Sequence, residues 1–250
     1  MKTCTILGTE IAVTTMEETV RYIEEHMEEL RGKYICVSNV HTTVTAYEDE
    51  SYRKVQNGAA FALPDGKPLS LYSKKHGFPE AERVTGPDLM GELFARENGL
   101  THYFYGGSEA TIRTLREKLP KEYPHLKIAG MVSPPYRPLT KEEDAAQVEA
   151  MNASGADIIW IGLGAPKQER YMFEHQGLTQ GVMVGVGAGF DYYAGTIRRA
   201  PMWMQKLSLE WLYRLMQDPK RLFKRYFVTN FKFLRLTLGR GKKSRGEKKS

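Results

Sequence analysis

Two apolar runs that break into glycine constrain this chain more than any other feature. Residues 157–170 read DIIWIGLGAPKQER, and residues 185–199 read GVGAGFDYYAGTIRR. Each is a buried, strand-like stretch followed by a glycine-rich exit carrying polar side chains. That is how a parallel sheet presents backbone amides to a ligand.

The rest of the body repeats the pattern. Strand-like runs fall at 34–40, 101–105, 126–132, 157–163 and 181–186, and helix-like periodicity at 16–30, 41–57, 87–97, 108–119, 140–152 and 167–175. Such alternation predicts an α/β fold, a mainly parallel, Rossmann-like sheet with helices on both faces. Ligands in such sheets gather at the carboxyl ends of the strands, where several polar sequences of this chain sit.

Charge divides the 250 residues unevenly. Residues 1–197 carry 20 Lys and Arg against 27 Asp and Glu, whereas residues 198–250 carry 16 against 3. An acidic body and a basic tail face different partners. The expected organisation is a catalytic domain over 1–197, a basic aromatic helical appendage over 198–238, and a disordered basic tail over 239–250. In the appendage Trp203, Trp211, Phe223, Phe227 and Phe231 are interleaved with Lys and Arg, the composition of a segment that lies on an anionic membrane. Each basic residue near such a surface contributes on the order of 1 kcal/mol. Self-association through an uncovered apolar tail is a further expectation. Glu10 interrupts the first apolar stretch before signal-peptide length, and no run approaches the roughly 20 residues that cross a bilayer, so membrane contact is expected to be peripheral. Cys4 and Cys36 form neither a disulfide framework nor a thiolate metal site, which suits a reducing compartment.

The candidate site residues stand at the predicted strand exits. Asp65, in LPDGKPL, reads either as a turn aspartate or as a general base that takes a proton from an attacking hydroxyl. Asn39 and His41, in SNVHT, end the preceding strand and line the same cleft, His41 being the second candidate base. Gly106 and Gly107, in YFYGGS, let backbone approach a ligand closely, and Ser108 caps a helix whose N-terminus favours a diphosphate. Gly164, Lys167 and Gln168 offer a glycine turn, a cation and an amide to a phosphate oxygen or sugar hydroxyl. Asp191, in GFDYYAG, accepts from a base or ribose, or caps a turn. Arg214 and Arg221 are spaced by seven and share a helical face if the helix runs through Pro219; with Lys224 or Arg225 they are candidates to stabilise a leaving diphosphate. With six histidines, no HxH, HxxxH or HExxH pattern and no Asp-x-Asp, no metal site and no cofactor is expected. Neither GLGAPK nor GVGAGF completes a dinucleotide fingerprint, so a nicotinamide dehydrogenase is disfavoured. A nucleic-acid-binding protein would use the basic tail but leaves both glycine turns and Asp65 unexplained, and nucleic acid is not an expected partner.

In order along the chain, SNVHT, LPDGKPL, HYFYGGS, SPPYRPL, IWIGLGAPKQER, GVGAGFDYYAGTIRRAP and EWLYRLMQDPKRLFKRY resemble the WecG/TagA/CpsF family of glycosyltransferases, to about Phe233. The resemblance implies an inverting, metal-independent transferase that moves a sugar, N-acetylmannosamine first, from a UDP-sugar to a polyprenyl-pyrophosphate-linked GlcNAc, as in wall teichoic acid synthesis. Glucosyl or other hexosyl transfer in exopolysaccharide or capsule assembly is the alternative. It implies a cytoplasmic protein, peripheral on the inner face of the cell membrane. Asp65 would be the base, Asn39 and Gln168 would contact sugar or acceptor, and Gly106, Gly107, Gly164, Lys167 and Asp191 would hold UDP. Where the family often has threonine this chain has Val37.

Overall fold

The apolar runs do pair, in parallel, into one sheet. A computed structural model describes residues 1–206 and 209–243, without the side chains at 205, 206, 221, 224, 225 and 239–243. The chain opens with an antiparallel hairpin of β1 (Thr3–Ile6) and β2 (Thr9–Ala12), then α1 (Met16–Glu25) and α2 (Met27–Leu30). β3 (Tyr34–Ser38) is followed by α3 (Val40–Glu48) and α4 (Glu50–Asn57), and β4 (Phe61–Pro64) by α5 (Lys67–Lys75) and α6 (Gly86–Phe94). Next come β5 (Thr101–Gly106), α7 (Glu109–Glu122), β6 (Lys127–Val132), α8 (Lys141–Ala153), β7 (Ile158–Gly162), α9 (Lys167–Glu174), β8 (Val182–Gly185) and α10 (Gly189–Ala194). The C-terminal appendage is α11 (Met202–Lys206), α12 (Glu210–Gln217) and α13 (Pro219–Lys243).

The six-stranded sheet runs β4-β3-β8-β7-β5-β6, every pair parallel. Its central strands are buried and largely apolar because both faces are covered, with His102 of β5 held by Trp160 Nε1 at 3.1 Å. Alternate residues feed two cores. Ile35, Phe104, Ile158, Trp160 and Val184 pack with α1, α6 and α7 on one face. Cys36, Tyr105, Ile159, Ile161 and Met183 pack on the other, with Val44 of α3, Met172 of α9 and Phe233 of α13.

The connections create a crevice. After β5 the chain moves outward to β6, and after β7 it moves inward to β8, so these neighbouring strands send their exits to opposite sides. A ligand crevice opens at such a switch point.

Two long predicted helices are interrupted. The segment 16–30 divides at His26, and 41–57 divides at Asp49, whose side chain caps α4 by accepting from Tyr52 N. The appendage is divided as well. Asp218, with φ −140° and ψ 68°, lies outside the helical region, as a residue before proline prefers, and Pro219 opens α13. The continuous helix through Pro219 that would have set Arg214 and Arg221 on one face does not exist, and spacing by seven carries no shared face across that bend. The helix α13 continues to Lys243, past the expected boundary at 238, and residues 244–250 of the expected tail lie outside the described residues.

Candidate active site

The glycine exits of β5 and β7 meet at the switch point. Gly106 has φ +128°, and a Cβ there would stand 2.5 Å from the carbonyl of Gly162, so only glycine lets these two backbones touch. The neighbouring amide of Gly107 donates to Gly162 O at 3.0 Å. Ser108 then caps α7 by accepting from Thr111 N at 3.1 Å, and Thr111 Oγ1 donates to Asp191 Oδ1, also at 3.1 Å. Gly106, Gly107 and Asp191, drawn from two distant motifs, are thereby brought to one helix N-terminus.

A second glycine pair is tied by Gln168. Its Oε1 accepts from Gly164 N at 3.2 Å and Gly187 N at 3.0 Å, while its Nε2 donates to Glu169 Oε1 at 2.9 Å. Gln168 is 3% exposed. Its amide points into the protein and fixes the exits of β7 and β8 relative to each other. Lys167, one residue earlier, is exposed at the first turn of α9.

Asp65 stands at the sheet edge, immediately after β4. Its amide donates to Ser38 O at 2.7 Å, which sets it beside Asn39 at the end of β3. Asn39 is the N-cap of α3, its Oδ1 accepting from His41 N at 3.0 Å and Thr42 N at 3.3 Å. His41 is half-buried in the first turn of α3, and Val37 is buried in the apolar core. The Asp65 residue keeps some exposure, but loss of hydration around its carboxyl pushes its pKa up to about 7; Arg83 and Arg214 pull it down, and Glu210 and Asp88 push it further up. A carboxyl that titrates near neutrality suits a general base.

Around Asp65 stands a closed ring of charge. Arg83 pairs with Glu210 at 3.0 Å and with Asp88 at 3.9 Å; Arg199 pairs with Glu210 at 3.6 Å and also binds Asp88. The ring joins the loop before α6, the first turn of α6, the segment after α10, and α12. Gln217 fastens α12 further, accepting from Arg198 N at 3.2 Å and donating to Arg198 O at 3.0 Å. Arg214 of α12 lies over the Tyr192 ring, 5.5 Å from its centroid. The Tyr192 hydroxyl is raised by burial, with Arg214 opposing and Glu210 and Asp65 adding.

Asp191 lies within α10, Arg214 stacks on its neighbour Tyr192, and both Arg214 and Tyr192 interact electrostatically with Asp65. Arg221 and Arg225 have side chains outside the described residues. Arg83, Tyr192 and Glu210 were missed. Tyr192 stood beside Asp191 inside a motif already singled out, whereas Arg83 and Glu210 are 127 residues apart and only the fold pairs them.

A parallel sheet with glycine exits at its switch point and a near-neutral carboxylate at its edge has the layout of a ligand-binding α/β fold. The chain matches the model of the glycosyl transferase WecG/TagA/CpsF family over residues 4–247, and it belongs to that family. It is a glycosyltransferase. Among curated relatives it is 29% identical over 225 residues to N-acetylglucosaminyldiphosphoundecaprenol N-acetyl-beta-D-mannosaminyltransferase of Bacillus subtilis (strain 168), covering 88% of this chain and 86% of the relative. It is 30% identical over 199 residues to the protein of the same name from Bacillus spizizenii (strain ATCC 23059 / NRRL B-14472 / W23), covering 78% and 76%.

Proposed function

We propose that the protein transfers N-acetylmannosamine from a UDP-sugar to GlcNAc carried on a polyprenyl diphosphate, with inversion and without a metal, in teichoic-acid-type synthesis. The observation that carries this reading is the near-neutral carboxyl of Asp65 at the end of the edge strand β4, with Arg83 and Arg214 acting on it. The donor diphosphate lies at the turns of Gly106, Gly107 and Gly164 with Lys167 at hand, and Asp191 takes the nucleoside. Asn39 and His41 line the sugar end, and Gln168 acts by fixing the turns that meet the donor. Asp65 removes the proton of the acceptor hydroxyl as its oxygen attacks the anomeric carbon from the face opposite UDP. The carbon–UDP bond breaks as the new glycosidic bond forms, and Arg214 meets the charge that develops on the diphosphate. Oriented amides and guanidinium groups do this work best where water is sparse.

The appendage supplies the membrane contact in this reading. Among the described residues no helix is long and apolar enough to cross a bilayer. Along α13, Phe223, Phe227, Phe231, Leu234 and Leu238 recur at helical spacing and remain 55% to 70% exposed. Lys220 and Arg235 belong to the same helix, and an apolar stripe on a basic helix is the form that settles at an anionic lipid interface.

The test is transfer from UDP-N-acetylmannosamine, UDP-N-acetylglucosamine and UDP-glucose to a polyprenyl-diphosphate-linked GlcNAc in EDTA, with wild type and Asp65→Ala. Product from the first donor alone, surviving EDTA and lost in the variant, is expected. Wild-type transfer that needs a divalent ion, or an equally active Asp65→Ala, overturns the mechanism. Phe227→Glu with Phe231→Glu is expected to release the protein from anionic vesicles. Point changes are preferred to truncation, because Leu222 and Phe233 are buried and deletion would open the core.

A further inference from the structure

Lys67 stands in the LPDGKPL motif but has no part in the reaction as described, and it borders a second basic cleft. Lys67, Ser70, Leu71 and Lys74 occupy one face of α5 at positions i, i+3, i+4 and i+7. With Ala81, Glu82 and Arg83 from the loop before α6 they line a cavity of about 290 Å³. Lys67, Lys74 and Arg83 stand there beside Glu82, Arg83 being already paired with Glu210, so the two lysines set the sign of the cleft. The neighbouring cavity, of about 440 Å³, also includes Arg83, but two carboxylates, Asp88 and Glu92, line it alongside Arg83 and Arg199. The α5 cleft is the one with excess positive charge, and it adjoins Asp65, since Lys67 lies two residues further along and Arg83 acts on the Asp65 carboxyl.

We propose that the cleft of Lys67, Ser70, Lys74 and Arg83 binds the diphosphate of the acceptor. This rests on the function proposed above and adds a second diphosphate site to it. The glycine turns of β5 and β7 stand three or more strand positions from β4, roughly 14 Å at the spacing of paired strands. A donor diphosphate seated there does not reach α5. The acceptor presents its hydroxyl to Asp65 and carries its own diphosphate across one sugar ring, on the side away from the donor, where α5 begins. Lysine serves this purpose as a mobile point charge. Arg83 is anchored by Glu210, so docking of α12 holds one wall of the cleft in place. Leu71, 46% exposed on the rim, offers apolar surface where the lipid chain departs.

The experiment uses the full chain, UDP-N-acetylmannosamine, and GlcNAc diphosphate bearing a short isoprenoid that needs no vesicle. Lys67→Ala with Lys74→Ala is expected to raise the acceptor KM by about tenfold or more, the worth of a lost charge-assisted hydrogen bond, with the donor KM little changed. Lys74→Arg retains most of the affinity. A rise in donor KM assigns the lysines to UDP and overturns the proposal. So does an effect seen only with long-chain acceptor on anionic vesicles, which assigns them to the lipid surface. Calorimetry of the same acceptor reads the cleft without turnover. If the wild type forms no product from this donor but binds the acceptor, and the double variant loses that binding while retaining UDP, the donor assignment fails and the cleft stands. Unchanged acceptor binding in the double variant refutes the cleft whatever the donor.

Discussion

Asp65→Asn is expected to make the protein more stable and nearly inactive, with the gain in stability set by pH. Below pH 3.8 the carboxyl holds its proton in the folded and the unfolded chain alike, and it contributes nothing either way. Between that value and about 7 the unfolded chain releases the proton while the folded one keeps it, so rising pH erodes stability. Above about pH 7 the folded protein carries the full penalty of a poorly hydrated carboxylate. A rise from 3.8 to about 7, at about 1.4 kcal/mol for each tenfold change in proton affinity, sets a ceiling near 4 kcal/mol. The residue is only half-buried, and solvent screening brings the expected value to about 2 kcal/mol. Asparagine keeps the shape and removes the charge. Thermal unfolding of wild type and variant at pH 4 and pH 8 should show nearly equal Tm at the lower pH, and about 4–8 °C in favour of the variant at the higher. Activity should fall by about a hundredfold or more, as expected on losing a general base. A Tm difference that is the same at both pH values would falsify the buried-carboxylate account. A variant less stable at pH 8 would show that the charge is satisfied in the folded state.

The rate should report the same group, with kcat/KM rising through an acid limb near pH 7; Arg83→Met should move that limb up and Glu210→Gln should move it down, since Arg83 lowers and Glu210 raises the Asp65 value. A limb that neither change moves belongs to another residue. Gly106→Ala should destabilise by about 3 kcal/mol or more in denaturant, because strain at φ +128° adds to a 2.5 Å collision with Gly162, whereas Gly164→Ala meets open space and should lose only about 1 kcal/mol. Equal losses would show that the crevice backbone yields more than its contacts suggest. Gln168→Leu leaves the amides of Gly164 and Gly187 without their acceptor and should cost about 2–3 kcal/mol, with the donor KM rising more than the acceptor KM. A preferential rise in acceptor KM would place Gln168 at the other substrate.

The parts of the fold legible in the sequence were those in which one local requirement dominates. Central strands of a sheet covered on both faces are largely apolar, so 157–163 and 181–186 announced themselves, and a glycine at a strand end marked close backbone approach at Gly106, where a Cβ would meet Gly162. The β1–β2 hairpin was not legible. Its strands have four residues each, and its turn places Leu7 at φ 51° ahead of Gly8 at φ 89°, where asparagine or aspartate would have signalled the turn. The divided helices left little trace in apolar periodicity either: Asp49 caps α4 with its side chain, and Asp218 turns the chain through its backbone angles. Asp65 was visible because Pro-Asp-Gly follows an apolar run. What changes its chemistry was not, because its burial, and then Arg83, Glu210, Arg214 and Asp88 from separate segments, come together only in the fold.

The ring of ion pairs also gives the folded-back appendage a part in the charge around Asp65. Among the described ion pairs Arg83 and Arg199 share Asp88 and Glu210, and Glu210 belongs to α12. With α12 away, Asp88 alone would oppose two guanidinium groups, and the positive charge near Asp65 would rise while Arg214, on the same helix, would leave. The Asp65 carboxyl would exchange one cation for a less compensated pair, and Tyr192 would lose the guanidinium stacked on its ring. Docking through an ion ring that is part exposed is worth little by itself, because such pairs are hydrated and screened. Its strength comes from Leu222 and Phe233, buried further along the same appendage. Apolar burial in α13 therefore holds the tail, while the ring in α12 sets the charge around the carboxylate. Substitution of Phe233 by alanine should weaken tail docking by about 3 kcal/mol or more and raise proteolytic cleavage between α10 and α12, whereas Glu210→Gln should leave cleavage nearly unchanged and alter the pH profile. Increased cleavage in Glu210→Gln to the level of Phe233→Ala would show that the ring, and not the core, holds the appendage.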